Sequence, residues 1–142
     1  MSFISSIAHI NLTVPEGSLH LADAFYRDTL GLEKTEVPKA QQGTLAWYNI
    51  SSSGQQIHVS HPTSPSELLQ PTSRQHPCFR LASPEALREL QKRIWEHYKR
   101  GGDSAPKDAD EPGAENSGAK GEEYPTRFFA RDYSNNRLEF SL

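Results

Sequence analysis

The segment SSIAHINLTVPEG, residues 5–17, alternates apolar and polar side chains and ends in a proline and a glycine. Apolar side chains occupy every second position from Ala8 to Val14, with His9 and Asn11 among the positions between them. A two-residue period of this kind predicts a strand with one buried face. The segment therefore predicts a first strand that carries a histidine on its polar face.

The same arrangement recurs in the second half of the chain, where HPCFRLASP, residues 76–84, again begins with a histidine and then alternates. Ser18 and Ser83 follow the two strands, and serine is a preferred residue at the start of a helix. Apolar residues at helical spacing then predict amphipathic helices over 19–31 and 85–98. The chain thus repeats one strand–helix–strands unit.

Further alternating stretches follow each predicted helix. They are GLEKTEV (31–37), GTLAWYNI (43–50), GQQIHVSH (54–61), YPTRFFARD (124–132) and NRLEFSL (136–142). The intervening tract 101–123 has no large apolar residue, and we expect much of it to be mobile. The second unit lacks a clear apolar strand after its helix, so either residues 102–110 supply that edge or the strand is missing. These boundaries predict one domain, 1–142, with modules 3–66 and 74–142.

Composition excludes several classes of function. The net charge is -3 with no basic cluster along the chain, which argues against nucleic acid or an anionic membrane as the main partner. No apolar run is long enough for a signal peptide or a membrane span. The single cysteine, Cys78, excludes an intramolecular disulfide. We expect a cytosolic protein that binds a small-molecule substrate.

Four residues with metal-ligating side chains lie on the polar sides of the predicted strands: His9, His58, His76 and Glu139. If the apolar sides pack under the helices, all four side chains point to the opposite, concave side of the sheet. Imidazole and carboxylate groups that converge on one point suit a divalent Zn, Fe, Mn, Co or Ni ion. The sequence therefore predicts a metal centre with two ligand residues from each module.

Other polar and aromatic residues on the same faces are candidates to line a substrate: Asn11, Trp47, Gln56 and Arg80. Polar filling of the concave face is an equally good explanation for the two amides, and a surface ion pair for the arginine. His61 is an alternative ligand to His58, but it is predicted on the opposite face. His97, near the end of the second helix, suits the helix dipole.

The stretches IAHINLTVPE, ADAFYRDTLGLEK, GQQIHV, HPCFRL and RFFARDYSNNRLEF resemble the vicinal oxygen chelate superfamily. This superfamily includes glyoxalase I, methylmalonyl-CoA epimerase, extradiol dioxygenases, fosfomycin-resistance enzymes and bleomycin-binding proteins. The resemblance implies an α+β fold of two βαβββ modules that form a U-shaped mixed sheet around a central cleft. Carried over by position, the superfamily's ligands correspond to His9, His58, His76 and Glu139.

The resemblance leads us to expect a divalent-metal-dependent lyase or isomerase that acts on a small oxygenated substrate. Glu139 and His58 are the candidate proton shuttles. One alternative is an Fe(II)-dependent extradiol-type dioxygenase, and another is a metal-free protein that sequesters a small molecule, as bleomycin-resistance proteins do. We expect a homodimer, in which the modules pair within one chain or exchange between two chains.

Overall fold

A computed structural model of the protein describes residues 1–114 and 126–142. Within these ranges the chain forms eight strands, arranged as two four-stranded mixed sheets. Each sheet comes from one half of the sequence, so the predicted α+β fold of two βαβββ modules is confirmed. Part of the tract predicted to be mobile, residues 115–123, lies outside the described residues.

The first sheet has the strand order β1-β4-β3-β2. β1 runs parallel to β4, and the other neighbours are antiparallel. Its strands are β1 His9–Thr13, β2 Glu33–Thr35, β3 Leu45–Asn49 and β4 Gln56–Ser60. Short 3₁₀ turns occur at Leu19–Leu21, Lys39–Gln41 and Pro65–Glu67.

The second sheet repeats this topology with the order β5-β8-β7-β6. Its elements are β5 Cys78–Arg80, helix α1 Pro84–Arg100, β6 Asp108–Ala109, β7 Arg127–Arg131 and β8 Arg137–Ser141. The short β6 lies within residues 102–110, so this segment supplies the edge strand that the sequence left undecided. Ala105 and Asp110, on either side of β6, are buried, so the start of the polar tract packs against the domain.

The first helix differs from its prediction. The apolar pattern over 19–31 predicts an α-helix, but after one 3₁₀ turn the chain forms a π-helix over Asp23–Thr29. The Leu30 amide accordingly donates to the carbonyl of Phe25, five residues earlier, at 2.9 Å. Hydrophobic spacing cannot separate the two helix types, because both place a continuous apolar stripe against the core.

The turn between β7 and β8 joins the two modules instead of lying at the surface. Asp132 is completely buried and accepts hydrogen bonds from the Tyr26 hydroxyl at 2.5 Å and from the Ser134 amide at 2.8 Å. The side chain of Asn136 donates both to Asp132 and to the Thr13 carbonyl. Since Tyr26 and Thr13 belong to the first module, this turn fixes how the modules pack.

Both first strands, β1 and β5, are edge strands of their sheets in the described part of the chain. A groove of about 1150 Å³ runs between these edges. Its apolar lining includes Ile7, Ile10, Leu69, Pro77, Phe79 and Leu81. No helix in the described ranges has the length and apolar character that crossing a membrane requires.

Candidate metal and substrate site

The first module holds a stack of three aromatic rings on the face opposite its core. The imidazoles of His9 and His58 are stacked with ring centroids 4.0 Å apart and planes at 13°. The indole of Trp47 covers the other side of His58, with a centroid distance of 4.4 Å. β3 and β4 place these two residues directly opposite each other. The neighbouring Tyr48 points the other way, into the core, as alternation predicts.

A chain of hydrogen bonds orients His58. Gln56 donates through its amide nitrogen to the Asn49 side chain at 2.8 Å, which turns its own amide oxygen toward His58. His58 Nε2 lies 2.9 Å from that oxygen and donates to it, so Nδ1 carries the lone pair. Burial, and then the proximity of His9, lower the pKa of His58. His58 is therefore neutral at pH 7 and able to accept a proton or a metal ion.

The stacked geometry does not itself form a metal site. Two imidazoles that share an ion must aim their in-plane lone pairs at one point, about 2.0–2.1 Å from each nitrogen. Nearly parallel rings 4.0 Å apart direct their lone pairs along separate planes. Rotation of the exposed His9 about its side-chain bonds is needed before both rings can reach the same ion.

The second module holds a histidine–carboxylate pair at the equivalent place. His76 Nε2 lies 2.8 Å from Glu139 Oε2, and His76 Nδ1 donates to the Arg74 carbonyl at 2.7 Å. A backbone carbonyl on one ring nitrogen is the usual support of a metal-ligating histidine, because it leaves the other nitrogen as the ligand. This pair has donor atoms of the types that a divalent ion accepts.

Two arginines and a phenylalanine surround this pair, and the sequence analysis did not identify them. Arg127 Nη1 lies 3.6 Å from Glu139 Oε1. The ring of Phe129 packs edge-on against His76, and the guanidinium of Arg137 lies over the same ring at 4.2 Å. The signal was present in the alternation of RFFAR and RLEF, which places these residues on one face with Glu139.

The four predicted ligands thus form two pairs, His9 with His58 and His76 with Glu139. Among residues 1–114 and 126–142 of a single chain, no group of three or more histidine, cysteine, aspartate or glutamate side chains is close enough to hold a metal ion. His76 precedes β5 by two residues, whereas alternation had placed it within the strand. The donor types fit a divalent ion, but one chain does not bring the two pairs together.

The residues predicted to line a substrate occupy different environments. Trp47 and Gln56 belong to the stack and the hydrogen-bond chain around His58. Asn11 exchanges hydrogen bonds with the Ser60 side chain at 2.9 and 3.1 Å and lines the groove. Arg80 is exposed and also lines the groove, and no carboxylate in the described ranges pairs with it.

The remaining histidines lie away from these faces. His61 lines a separate cleft with His20 and Glu16, as its predicted position on the opposite face implies. His97 is 3% exposed and lies between the Thr29 hydroxyl, at 2.7 Å, and the Ser104 hydroxyl, at 3.2 Å. Burial, and then Arg100, lower its pKa, so it is a neutral packing residue and not a charge on the helix dipole.

This architecture is similar to that of glyoxalase-like and fosfomycin-resistance proteins of known structure. A protein described as a glyoxalase family member from Bacillus anthracis matches 99% of this chain and 96% of its own, with a TM-score of 0.66 and 24% identity. The fosfomycin resistance protein FosX from Listeria monocytogenes matches 98% of this chain and 91% of its own, with a TM-score of 0.62 and 19% identity. The predicted resemblance is confirmed at the level of the fold.

A lactoylglutathione lyase from Agrobacterium tumefaciens matches as well, with a TM-score of 0.60 and 18% identity over 99% of this chain and 95% of its own. A mutant of FosX has been crystallised with Mn(II) and 1S,2S-dihydroxypropylphosphonic acid. No protein-family model and no curated protein sequence matches the chain. The TM-scores of 0.60 to 0.66 establish the shared fold. The chemistry of this chain has to be argued from its own residues.

Proposed function

We propose that this protein is a divalent-metal-dependent lyase or isomerase that acts on a small oxygenated substrate. The observation that carries the proposal is the His76–Glu139 pair, in which a backbone carbonyl holds His76 with Nε2 against the carboxylate. Two ligands of this kind can share a divalent ion in place of the hydrogen bond between them. His9 and His58 supply matching donors in the first module.

His76, Glu139, His9 and His58 would hold the ion, and Zn, Fe, Mn, Co and Ni all accept this donor set. A bound ion would supply Lewis acidity at a substrate oxygen. His58 is suited to take up a proton because burial keeps it neutral at pH 7. Glu139 can exchange a proton with substrate through its carboxylate while His76 and Arg127 hold it in place.

A homodimer would bring the two pairs together, since one chain does not. The edges of β1 and β5 are open in the described chain, and the groove between them is largely apolar. Phe3, Ile4 and Ile7, just before β1, are among the most exposed large apolar residues of the protein. Exposed apolar surface beside open edges is typical of an interface, and a second copy of this chain is the occupant that also completes the site.

Metal analysis tests the proposal. Full-length protein stripped with EDTA, supplemented with each candidate ion and dialysed should retain about one ion per chain, because four protein donors suffice to hold a divalent ion and leave further coordination positions for a substrate oxygen. The His9→Ala, Glu139→Ala double variant should lose most of this metal. A Glu16→Ala, His20→Ala double variant is the matched control, since both residues lie in the separate cleft.

Two results would overturn the metal proposal: wild-type protein that retains no ion, or a His9→Ala, Glu139→Ala variant that retains as much as wild type. The first result would favour a metal-free sequestering protein. The flat stack of Trp47, His58 and His9 supports that second candidate, because it offers a planar aromatic ligand a stacking surface. Oxygen uptake with catechol would instead favour the dioxygenase alternative.

A further inference from the structure

The face of the second sheet that carries Glu139 is rich in guanidinium groups. In the register of β7 and β8, Phe129 lies opposite Glu139, and Arg131 lies opposite Arg137. Arg127 shares this face, two residues from Phe129. Three arginines that are dispersed along the sequence therefore share the face of the sheet that carries Glu139.

The carboxylate of Glu139 does not neutralise all of this charge. One of its oxygens lies 2.8 Å from His76 and the other 3.6 Å from Arg127. Arg131 is held by backbone carbonyls, those of Asn135 at 3.0 Å and Ser73 at 2.7 Å. Glu139 thus pairs with His76 and Arg127, and its carboxylate is not the partner of Arg137.

Arg137 keeps its positive charge without a carboxylate partner in the described part of the chain. Arg137 is half-buried, its guanidinium lies 4.2 Å from the centroid of the Phe129 ring, and it borders the same groove as His76. Stacking on an aromatic ring fixes the guanidinium plane while its edge stays available for hydrogen bonds. An edge of this kind matches two oxygens of a carboxylate, phosphate or phosphonate.

The pairing of Arg131 with Arg137 also favours the binding of an anion at Arg137. Like charges directly opposite each other on antiparallel strands destabilise a sheet. Asp108, on β6, lies opposite Arg131 and offsets part of its charge, but β6 is on the side away from β8. The remaining repulsion would be relieved by an anion that binds at Arg137.

We propose that the substrate of this protein carries an oxyanion group, a carboxylate or a phosphonate-type group, which pairs with the guanidinium of Arg137. The position of this subsite rests on the proposed function, in which the substrate lies on the face that carries His76 and Glu139. Arg80, exposed at the groove, lies on the same side of the sheet and adds to the positive field. The anion anchors one end of the substrate while Glu139 lies close to the other.

Anion binding by the metal-free, full-length protein tests this proposal. Methylphosphonate and acetate serve as probes, and neutral acetamide as the uncharged comparison, in NMR titrations that follow the arginine side-chain N–H signals. At least one anion should shift the Arg137 signal in a saturable way, and acetamide should not. Arg137→Gln should raise the dissociation constant about tenfold or more, because a charge-assisted two-point contact is lost.

Arg88→Gln is the matched control, since Arg88 is exposed on α1 and pairs with Glu85 at 3.2 Å. Arg137→Lys should bind with intermediate affinity, because the charge remains while the planar fork is lost. Absence of a shift at Arg137 with either anion would overturn the proposal, and so would equal losses in the Arg137→Gln and Arg88→Gln variants. The titrations use metal-free protein, so their outcome does not depend on whether the protein binds a metal ion. The metal analysis, in turn, does not depend on whether Arg137 binds an anion.

Discussion

His97 illustrates how much a single residue's role depends on its surroundings. From the sequence, its place near the end of a helix indicates a favourable interaction with the helix dipole as a cation. The structure buries it between the hydroxyls of Thr29 and Ser104, and burial lowers its pKa. His97 therefore joins α1 to the first helix as a neutral side chain. Position along a helix could not reveal this, because the contacts come from distant segments.

The lowered pKa of His97 predicts a specific pH dependence of stability. The contribution of His97 to the free energy of unfolding is complete above the pKa of an unfolded histidine, about 6.5. It is lost as the pH falls toward the lower pKa of the folded state, because the unfolded chain then binds more protons than the folded chain. The free energy of unfolding, measured with urea from pH 8 to pH 5, should therefore fall more steeply in wild type than in His97→Gln. The difference in slope is at most about 1.4 kcal/mol per pH unit. Parallel curves would contradict this assignment.

Helix starts show what local sequence predicts well and what it does not. Ser18 and Ser83 are equivalent in sequence, yet only Ser83 caps its helix, by accepting a hydrogen bond from the Ala86 amide at 3.1 Å. Ser18 instead donates to the Pro15 carbonyl at 2.6 Å. The difference follows from the first helix, which starts with a 3₁₀ turn and continues as a π-helix.

This difference predicts unequal effects of removing the two hydroxyls. Ser83→Ala should lower the free energy of unfolding by about 1 kcal/mol, because an N-cap hydrogen bond of a long helix is lost. Ser18→Ala should lower it by about 0.5 kcal/mol or less, as a substitution near the surface without a cap does. Urea denaturation measures both values. Equal effects would show that the hydrogen bond at Ser83 does not stabilise α1.

At the scale of the whole molecule, the two pairs of predicted ligands lie on two sheets, and one chain does not bring them together. His9 and His58 belong to the sheet that ends at β1, and His76 and Glu139 to the sheet that ends at β5. The buried turn at Asp132 fixes the packing of the modules through Tyr26, so a large rearrangement within one chain is costly. The proposed homodimer would avoid that cost, because each site would take one pair of ligands from each chain.

Mixing two inactive variants tests whether sites form between chains. His9→Ala and Glu139→Ala should each lose metal binding when pure. After dissociation and reassociation of an equal mixture, a mixed twofold dimer contains one intact site and one doubly altered site, so about a quarter of all sites should bind metal. Metal content before and after mixing is the measurement. No recovery in dimers shown to contain both variants would place the whole site within one chain.

Arginine placement was the part of the site that the sequence analysis missed. The sequence contains no basic cluster, because Arg127, Arg131 and Arg137 are separated by other residue types. Antiparallel pairing of β7 with β8 brings the three onto one face beside Glu139. The cytosolic location, the domain boundaries and the binding of a divalent metal ion stay predictions.

The sequence by itself determined the two-module repeat and the side of each strand on which His9, His58 and Glu139 lie. Both follow from periodicity, which depends only on the local geometry of strands and helices. The tertiary structure decided which of these residues meet: the stack at His58, the pair at His76, the guanidinium groups at Phe129 and the buried turn at Asp132. Such contacts join segments far apart in the chain, and the packing of the sheets sets their distances.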